Sequence, residues 1–174
     1  MSAELDDLDR ARARYPLGIH VVGRVSHILR PGAIGVFVDL GEPPDGWVDV
    51  LSLPTDTAHW PSVGAVMTFE VIQHTPGQVR LWPLEPESPP PDASIRSAEV
   101  LWTRYPVGIE LDAVVEEVFP SNREYAVRFG DDEITVEWTG EAPAPGDVRR
   151  LRVIRHLVSP RALVVEPVEE IGTS

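Results

Sequence analysis

The chain has 174 residues, a formal net charge of −13 and no cysteine. The absence of cysteine excludes disulfides, thiolate zinc sites and a cysteine nucleophile, and no apolar run approaches the about 20 residues that a membrane-spanning helix needs. Because the N-terminal segment MSAELDDLDRARARY has neither an apolar core nor a cleavage pattern, we expect no secretory signal and a cytoplasmic location.

The first segment, residues 1–14, has the pattern of a short amphipathic helix. Ser2 is in position to cap its N-terminus, and the leucines that follow fall on one face. Pro16 disfavours helical conformation at the tyrosine before it, and the next glycine favours a turn. The phrase RYPLGI at 14–19 therefore predicts that a leader helix ends and a strand begins.

After this phrase the pattern changes to the alternation of β-strands. Five short runs follow, separated by turns rich in glycine and proline: IHVVGRVSHI, GVFVDL, GWVDVLSL, VMTFEVIQH and QVRLWPL. Short strands at this spacing are typical of a small closed barrel. We therefore expect the first barrel over residues 15–86.

The second half of the chain repeats the first. RYPVGI at 104–109 matches RYPLGI at five of six positions, and VRRLRVIRH at 148–156 echoes VMTFEVIQH. A repeat in the same order predicts a second copy of the same unit. We expect a second, degenerate barrel over 105–167, preceded by a leader helix over 94–104.

Two segments fall outside these units. Residues 87–93 are rich in proline, which neither continues a helix nor donates to a strand ladder, so we expect a semi-rigid linker. Residues 168–174 form a C-terminal tail.

The ordered series GRVSHI, GAIGVFVDLG, DGWVDVLSL, VMTFEVIQH and QVRLWPL resembles the S-one RNA-binding domain family. The resemblance covers residues 18–84, and the second unit, 108–167, resembles the family mainly through the first. The resemblance implies an all-β protein of two tandem five-stranded OB-fold barrels, each preceded by a short helix. It also implies single-stranded RNA or a ribonucleoprotein as the partner.

The resemblance places an RNA face on the first barrel. Phe37 occupies the second of the family's two aromatic positions, Ile34 stands at the first, and Asp49 stands where the family has a histidine. In the second unit, Arg123 and Ala126 fall at the two aromatic positions. The implied face is completed by three arginines: Arg24, Arg30 and Arg80.

One predicted strand of the second unit is strongly basic. Its arginines are Arg149, Arg150, Arg152 and Arg155. Such a run forms either a patch for an anion or nucleic acid, or a set of solvated ion pairs with the acids at 131–133 and Glu137. Both interpretations stay open.

No pattern indicates catalysis. The chain has no nucleophile elbow, no P-loop and no dinucleotide-binding glycine fingerprint, and its histidines lack metal-ligand spacing. We therefore expect a binding protein with no cofactor and no metal, not an enzyme. The five tryptophans are expected to pack in the cores or at the domain junction.

Two kinds of partner remain open. The resemblance favours RNA or a ribonucleoprotein. The net charge of −13 favours instead a basic protein partner, for which the chain would be an adaptor or an immunity-type inhibitor of a basic toxin or nuclease. No membrane partner is expected.

Overall fold

The computed structural model describes residues 2–30, 32–85 and 92–169. The first half contains helix α1 (Ser2–Arg14) and strands β1 (His20–Leu29), β2 (Gly35–Asp39), β3 (Asp45–Asp49), β4 (Val66–Thr75) and β5 (Gln78–Pro83). The second half contains helix α2 (Asp92–Arg104) and strands β6 (Glu110–Phe119), β7 (Glu124–Phe129), β8 (Asp132–Glu137), β9 (Val148–His156) and β10 (Leu163–Pro167). The described residues exclude 86–91, which include most of the predicted linker, and 170–174, which are most of the predicted tail.

Strands β1 to β5 close into a barrel in the order β1-β2-β3-β5-β4. β1 pairs with β4 in an antiparallel ladder, and β3 pairs with β5 in a parallel ladder, so the sheet closes on itself. This Greek-key arrangement of five strands is that of an OB fold. Alternate side chains point inward, and the core is built from Val36, Val38, Val48, Phe69, Val71, Val79 and Leu81.

Strands β6 to β10 follow the same order but do not close. The sheet runs β10-β9-β6-β7-β8, so no ladder joins β8 to β10, and we call this unit the half-barrel. The expected all-β fold of two five-stranded OB-type units with leader helices is confirmed, although the second unit is open at one seam. The backbone also differs beside this seam, where Ala162 takes the place that Gln78 has at the start of β5 and has a φ of +53°.

The repeated RYP phrase forms the same joint in both units. The tyrosine that ends each helix donates its backbone N–H to the last turn, Tyr15 to Ala11 and Tyr105 to Leu101. The carbonyl of the same tyrosine accepts a hydrogen bond from a histidine at the end of the fourth strand of the unit, Tyr15 from His74 and Tyr105 from His156. The phrase therefore fixes each leader helix to its own sheet.

The two units pack against each other through the outer faces of their sheets. Ile72 and Trp82 point out of the first barrel and Ala126 points out of the half-barrel, yet all three are buried and belong to neither core. Leu157, in the loop after β9, is buried in the same way. These apolar side chains mark the centre of the contact between the units.

Candidate functional site

Four side chains form one row across the outside of the first barrel. The strand register places His27 opposite Phe37, Phe37 opposite Trp47, and Trp47 beside Arg80. The His27 and Phe37 rings meet edge-on with centroids 6.5 Å apart, and those of Phe37 and Trp47 are tilted by 59° with centroids 4.7 Å apart. We call these four residues the stacking row.

The alternation of each strand explains why the row faces outward. On β2 the inward positions are Val36 and Val38, so Phe37 lies outside and stays half-buried. On β3, Val48 enters the core, whereas Trp47 lies on the outer side but is buried there, with 9% of its surface exposed. The indole of Trp47 lies against Gly35, where an added Cβ would approach Trp47 Cζ2 to 2.8 Å. Glycine at this position therefore lets the indole lie close to the sheet.

Asp49 and Arg80 stand at the edge of the stacking row. Asp49 Oδ1 accepts a hydrogen bond of 2.9 Å from the N–H of Leu51 and so caps the short turn after β3. The other carboxylate oxygen lies 3.7 Å from Arg80 Nη2, beyond hydrogen-bonding distance. With side chains 27% and 39% exposed, both groups remain accessible to a ligand.

Exposed apolar side chains lie at one end of the same surface. Leu29 ends β1, Ile34 precedes β2, and Leu51 follows β3, and all three are exposed. Leu29 pairs with Gly35 in the register and Ile34 joins Val50 through a backbone hydrogen bond, so they neighbour the row. The surface thus combines rings, aliphatic side chains and one arginine.

The residues expected from the resemblance are only partly brought together. Phe37, Asp49 and Arg80 share this surface. Arg24 lies toward β4, where its guanidinium donates to the carbonyl of Gly64, and Arg30 is exposed in the turn after β1.

No role for His27 is predicted from the sequence, and Trp47 is assigned to packing. Trp47 is indeed buried, and its place in the row, beside Phe37, is what the prediction lacked. The signal that could have found them is the period-two alternation of β1 and β3, taken together with the cross-strand register to Phe37.

The corresponding row of the half-barrel has no aromatic side chain. Both first strands carry a bulge at the same place, and the register beyond it pairs Glu117 with Ala126 and Ala126 with Thr135. Glu117, Ala126 and Thr135 therefore stand where the first barrel has His27, Phe37 and Trp47. An acid, a methyl group and a hydroxyl offer no platform on which a base could stack.

The outer face of β7 and β8 is instead covered by the first barrel. Glu124 and Glu137 face each other on these strands. Gln73 Nε2 donates to Glu124 Oε1 at 2.7 Å, and His74 Nδ1 lies 2.6 Å from Glu137 Oε2. Arg161 also binds Glu124, from the half-barrel's own loop.

Arg12 ties the leader helix of the first barrel to the half-barrel. Its Nε lies 3.0 Å from Glu137 Oε2. Its other nitrogens donate to the carbonyls of Trp138, Asn122 and Arg123 at 2.8, 2.7 and 3.0 Å. Burial lowers the pKa of this guanidinium, although the nearby carboxylate of Glu137 acts in the opposite direction.

The buried contact brings several ionisable groups together. The two ring nitrogens of His74 face oxygen atoms, Nδ1 the carboxylate of Glu137 and Nε2 the carbonyl of Tyr15. Burial acts to raise the pKa of Glu137, but the hydrogen bond and charge of His74, with Arg12, lower it overall. Burial raises the pKa of Glu70, against hydrogen bonds from the Val158 N–H and His20.

The arginine-rich strand β9 is occupied by ion pairs. Glu110 on β6 binds both Arg150 and Arg152, at 3.0 and 2.8 Å, and these hydrogen bonds lower the pKa of Glu110. Arg149 lies 3.4 Å from Asp147, and Arg155 donates to the carbonyl of Leu17 in the first barrel. The partners differ from the expected acids at 131–133 and Glu137, because β9 lies between β6 and β10 and not beside β8.

A metal site and a membrane-spanning helix are both absent from the described residues. Within residues 2–30, 32–85 and 92–169, no group of three or more histidine or acidic side chains is arranged to hold a metal ion. Neither of the two helices has the length and apolar character needed to span a bilayer.

The chain was compared with known proteins. No protein-family model matches it, and no curated protein matches it in sequence. Among solved structures it is similar to a multidomain protein with nucleic acid binding domains from Streptococcus pneumoniae TIGR4, with 17% identity, a TM-score of 0.33, and coverage of 86% of this chain and 51% of that one. It is also similar to GSP13 from Bacillus subtilis (24% identity, TM-score 0.34, 39% and 55% covered) and to Drosophila Unr CSD456 (13%, 0.29, 91% and 66%).

The chain thus spans about half the length of the first two of these structures. The likenesses are distant, and the OB arrangement of the chain rests on the strand order and ladders described above.

Proposed function

We propose that the chain binds single-stranded nucleic acid, with RNA as the expected form, through the stacking row of the first barrel. The observation that carries the proposal is the row itself: the exposed His27 ring and the half-buried Phe37 ring, supported by the buried Trp47, next to an accessible arginine. OB folds bind single strands with aromatic side chains in this kind of position. The role is binding without catalysis.

Stacking supplies most of the expected affinity. A base stacked on an aromatic side chain contributes about 1–3 kcal/mol. Phosphate contacts are few, since Arg80 is the arginine of the row, Arg24 lies toward β4 and Arg30 in the turn after β1, and the chain carries a net charge of −13. We therefore expect micromolar-range binding that depends on Phe37 more than on ionic strength.

The test is fluorescence anisotropy with a labelled eight-nucleotide RNA at low salt. Phe37→Leu removes the ring and keeps an apolar side chain in a half-buried position, so the fold is preserved. We expect binding to weaken by about fivefold or more, the lower end of one lost stacking contact. Val148→Ala, which truncates an exposed side chain on the half-barrel, is the control and should leave binding unchanged.

Two results would count against the proposal. One is the absence of binding by the unaltered chain at low salt, where electrostatic screening is weakest. The other is equal affinity for the unaltered chain and Phe37→Leu. The alternative of a basic protein partner stays a prediction, and the first result would direct attention to the exposed Leu29 and Leu51 as a protein contact.

A further inference from the structure

Asp49 brings an anion to a surface that the proposed function assigns to a polyanion. A carboxylate on such a face repels phosphates, so a role in general affinity is excluded by its charge. Asp49 is nevertheless held in place, because its Oδ1 accepts the Leu51 N–H at 2.9 Å. Its Oδ2 is directed toward Arg80 Nη2 at 3.7 Å and retains its capacity to accept a hydrogen bond.

The carboxylate lies within reach of a base on the stacking row. Asp49 follows Trp47 by two positions on β3, a separation of about 7 Å along the strand. The residue opposite Asp49 is Gly35, which has no side chain to intervene. A base stacked on the half-buried Phe37, which the buried Trp47 supports from the next strand, would therefore present its edge to Asp49 and to Arg80, which pairs with Trp47 in the register.

The four bases differ in what they offer such a pair. The Watson–Crick edge of guanine presents two adjacent donors, N2–H and N1–H, followed by the acceptor O6. Adenine presents N6–H beside the acceptor N1, cytosine presents N4–H beside the acceptor N3, and uracil presents N3–H between two acceptors. All four bases can therefore meet an acceptor next to a donor, as Asp49 Oδ2 and Arg80 Nη2 are arranged, but only guanine adds a second donor that the same carboxylate can accept.

We propose that Asp49, with Arg80, makes the stacking row selective for guanine in a single strand. Asp49 accepts from N1–H and N2–H, and Arg80 donates to O6. This inference rests on the proposed function, because it concerns the base that the same surface holds. Asp49 is thus a specificity-determining residue, and Phe37 supplies the stacking affinity that all bases share.

The experiment compares three labelled eight-nucleotide RNAs by anisotropy: all uridine, uridine with one central guanosine, and uridine with one central inosine. Inosine keeps N1–H and O6 but lacks the N2 amine. The variant is Asp49→Asn, which preserves an oxygen for the cap on Leu51. The matched control is Asp56→Asn, since Asp56 caps the turn at Thr57–His59 in the same way, with its carboxylate accepting from Ala58 N–H at 2.9 Å.

We expect the unaltered chain to bind the guanosine strand about fivefold or more tightly than all-uridine RNA, as one bidentate base contact allows. Inosine should lose most of that preference. Asp49→Asn should reduce it to less than about twofold while Asp56→Asn keeps it.

Three results would overturn the inference. Equal affinity for the three RNAs removes guanine selectivity and leaves the proposed binding function intact. A guanine preference that survives in Asp49→Asn shows that another group reads the base. Absence of binding to all three RNAs removes both the inference and the function on which it rests.

Discussion

Replacing Arg12 with alanine is expected to loosen the contact between the two units. The change leaves Glu137 with His74 as its remaining partner and removes the donor from three backbone carbonyls. Removing one member of a buried ion pair costs about 3–5 kcal/mol. Because the side chains of Arg12 and Glu137 are 11% and 19% exposed, water can partly replace the lost donor, so we expect a loss of about 2–4 kcal/mol.

The assay is urea unfolding followed by tryptophan fluorescence, which is sensitive to Trp82 at the centre of the contact. The control is Arg10→Ala in the same helix, since Arg10 is 65% exposed and pairs with Asp7 one turn away. That exposed pair contributes less than about 0.5 kcal/mol. Both variants change helix propensity equally, so a difference between them of less than about 0.5 kcal/mol would refute the importance of the buried network.

Three further predictions follow from the same structure. Below the ordinary glutamate pKa of 4.5, the stability advantage of the unaltered chain over Glu137→Gln should shrink, because the lowered pKa of Glu137 stabilises the folded chain only while this carboxylate is ionised. Glu70→Gln should instead gain stability relative to the unaltered chain as the pH rises above 4.5, because the pKa of Glu70 is raised. Urea midpoints measured from about pH 3 to about pH 7 check both, and parallel curves would contradict them. Gly18→Ala should destabilise the fold more than Gly108→Ala. Both glycines have a positive φ (+82° and +95°), but only at Gly18 would an added Cβ meet a side chain, at 2.3 Å from Arg155 Cδ. Thermal unfolding that ranks the two variants in the reverse order would contradict this prediction. RNA affinity should fall with salt at a slope no steeper than about −2 on a log–log plot, the value if Arg24, Arg30 and Arg80 of the first barrel each contact one phosphate, and a steeper slope in a titration would indicate phosphate contacts elsewhere.

The number and order of the strands can be predicted from the sequence, because period-two alternation and turn residues are local signals. The repeated RYP phrase is equally informative, since the proline and glycine impose the same backbone turn in both units. The open seam of the half-barrel is not visible in this way. It depends on whether β8 and β10 pair, and the alternation within a strand does not show which strand lies beside it. The positive φ of Ala162, just before β10, has no signal in that alternation either.

The site was harder to predict than the fold, because its members meet across strands. Phe37 is recognisable from its motif, but its contact with Trp47 depends on a register set by non-local pairing. The partners of the arginines on β9 depend likewise on which strands lie beside it. The covering of Glu124 and Glu137 depends on how two separately folded sheets meet, and no local pattern encodes that contact.

A chain with two OB-type units would ordinarily be bivalent, and a tethered second site can raise overall avidity by about 10²–10⁴-fold. Here Gln73, His74 and Arg12 of the first barrel occupy the face that would form the second site. If the proposed function holds, the duplicated unit therefore adds no second stacking row among the described residues. The protein would then bind one short segment, release it at the rate set by a single surface, and be unable to bridge two strands.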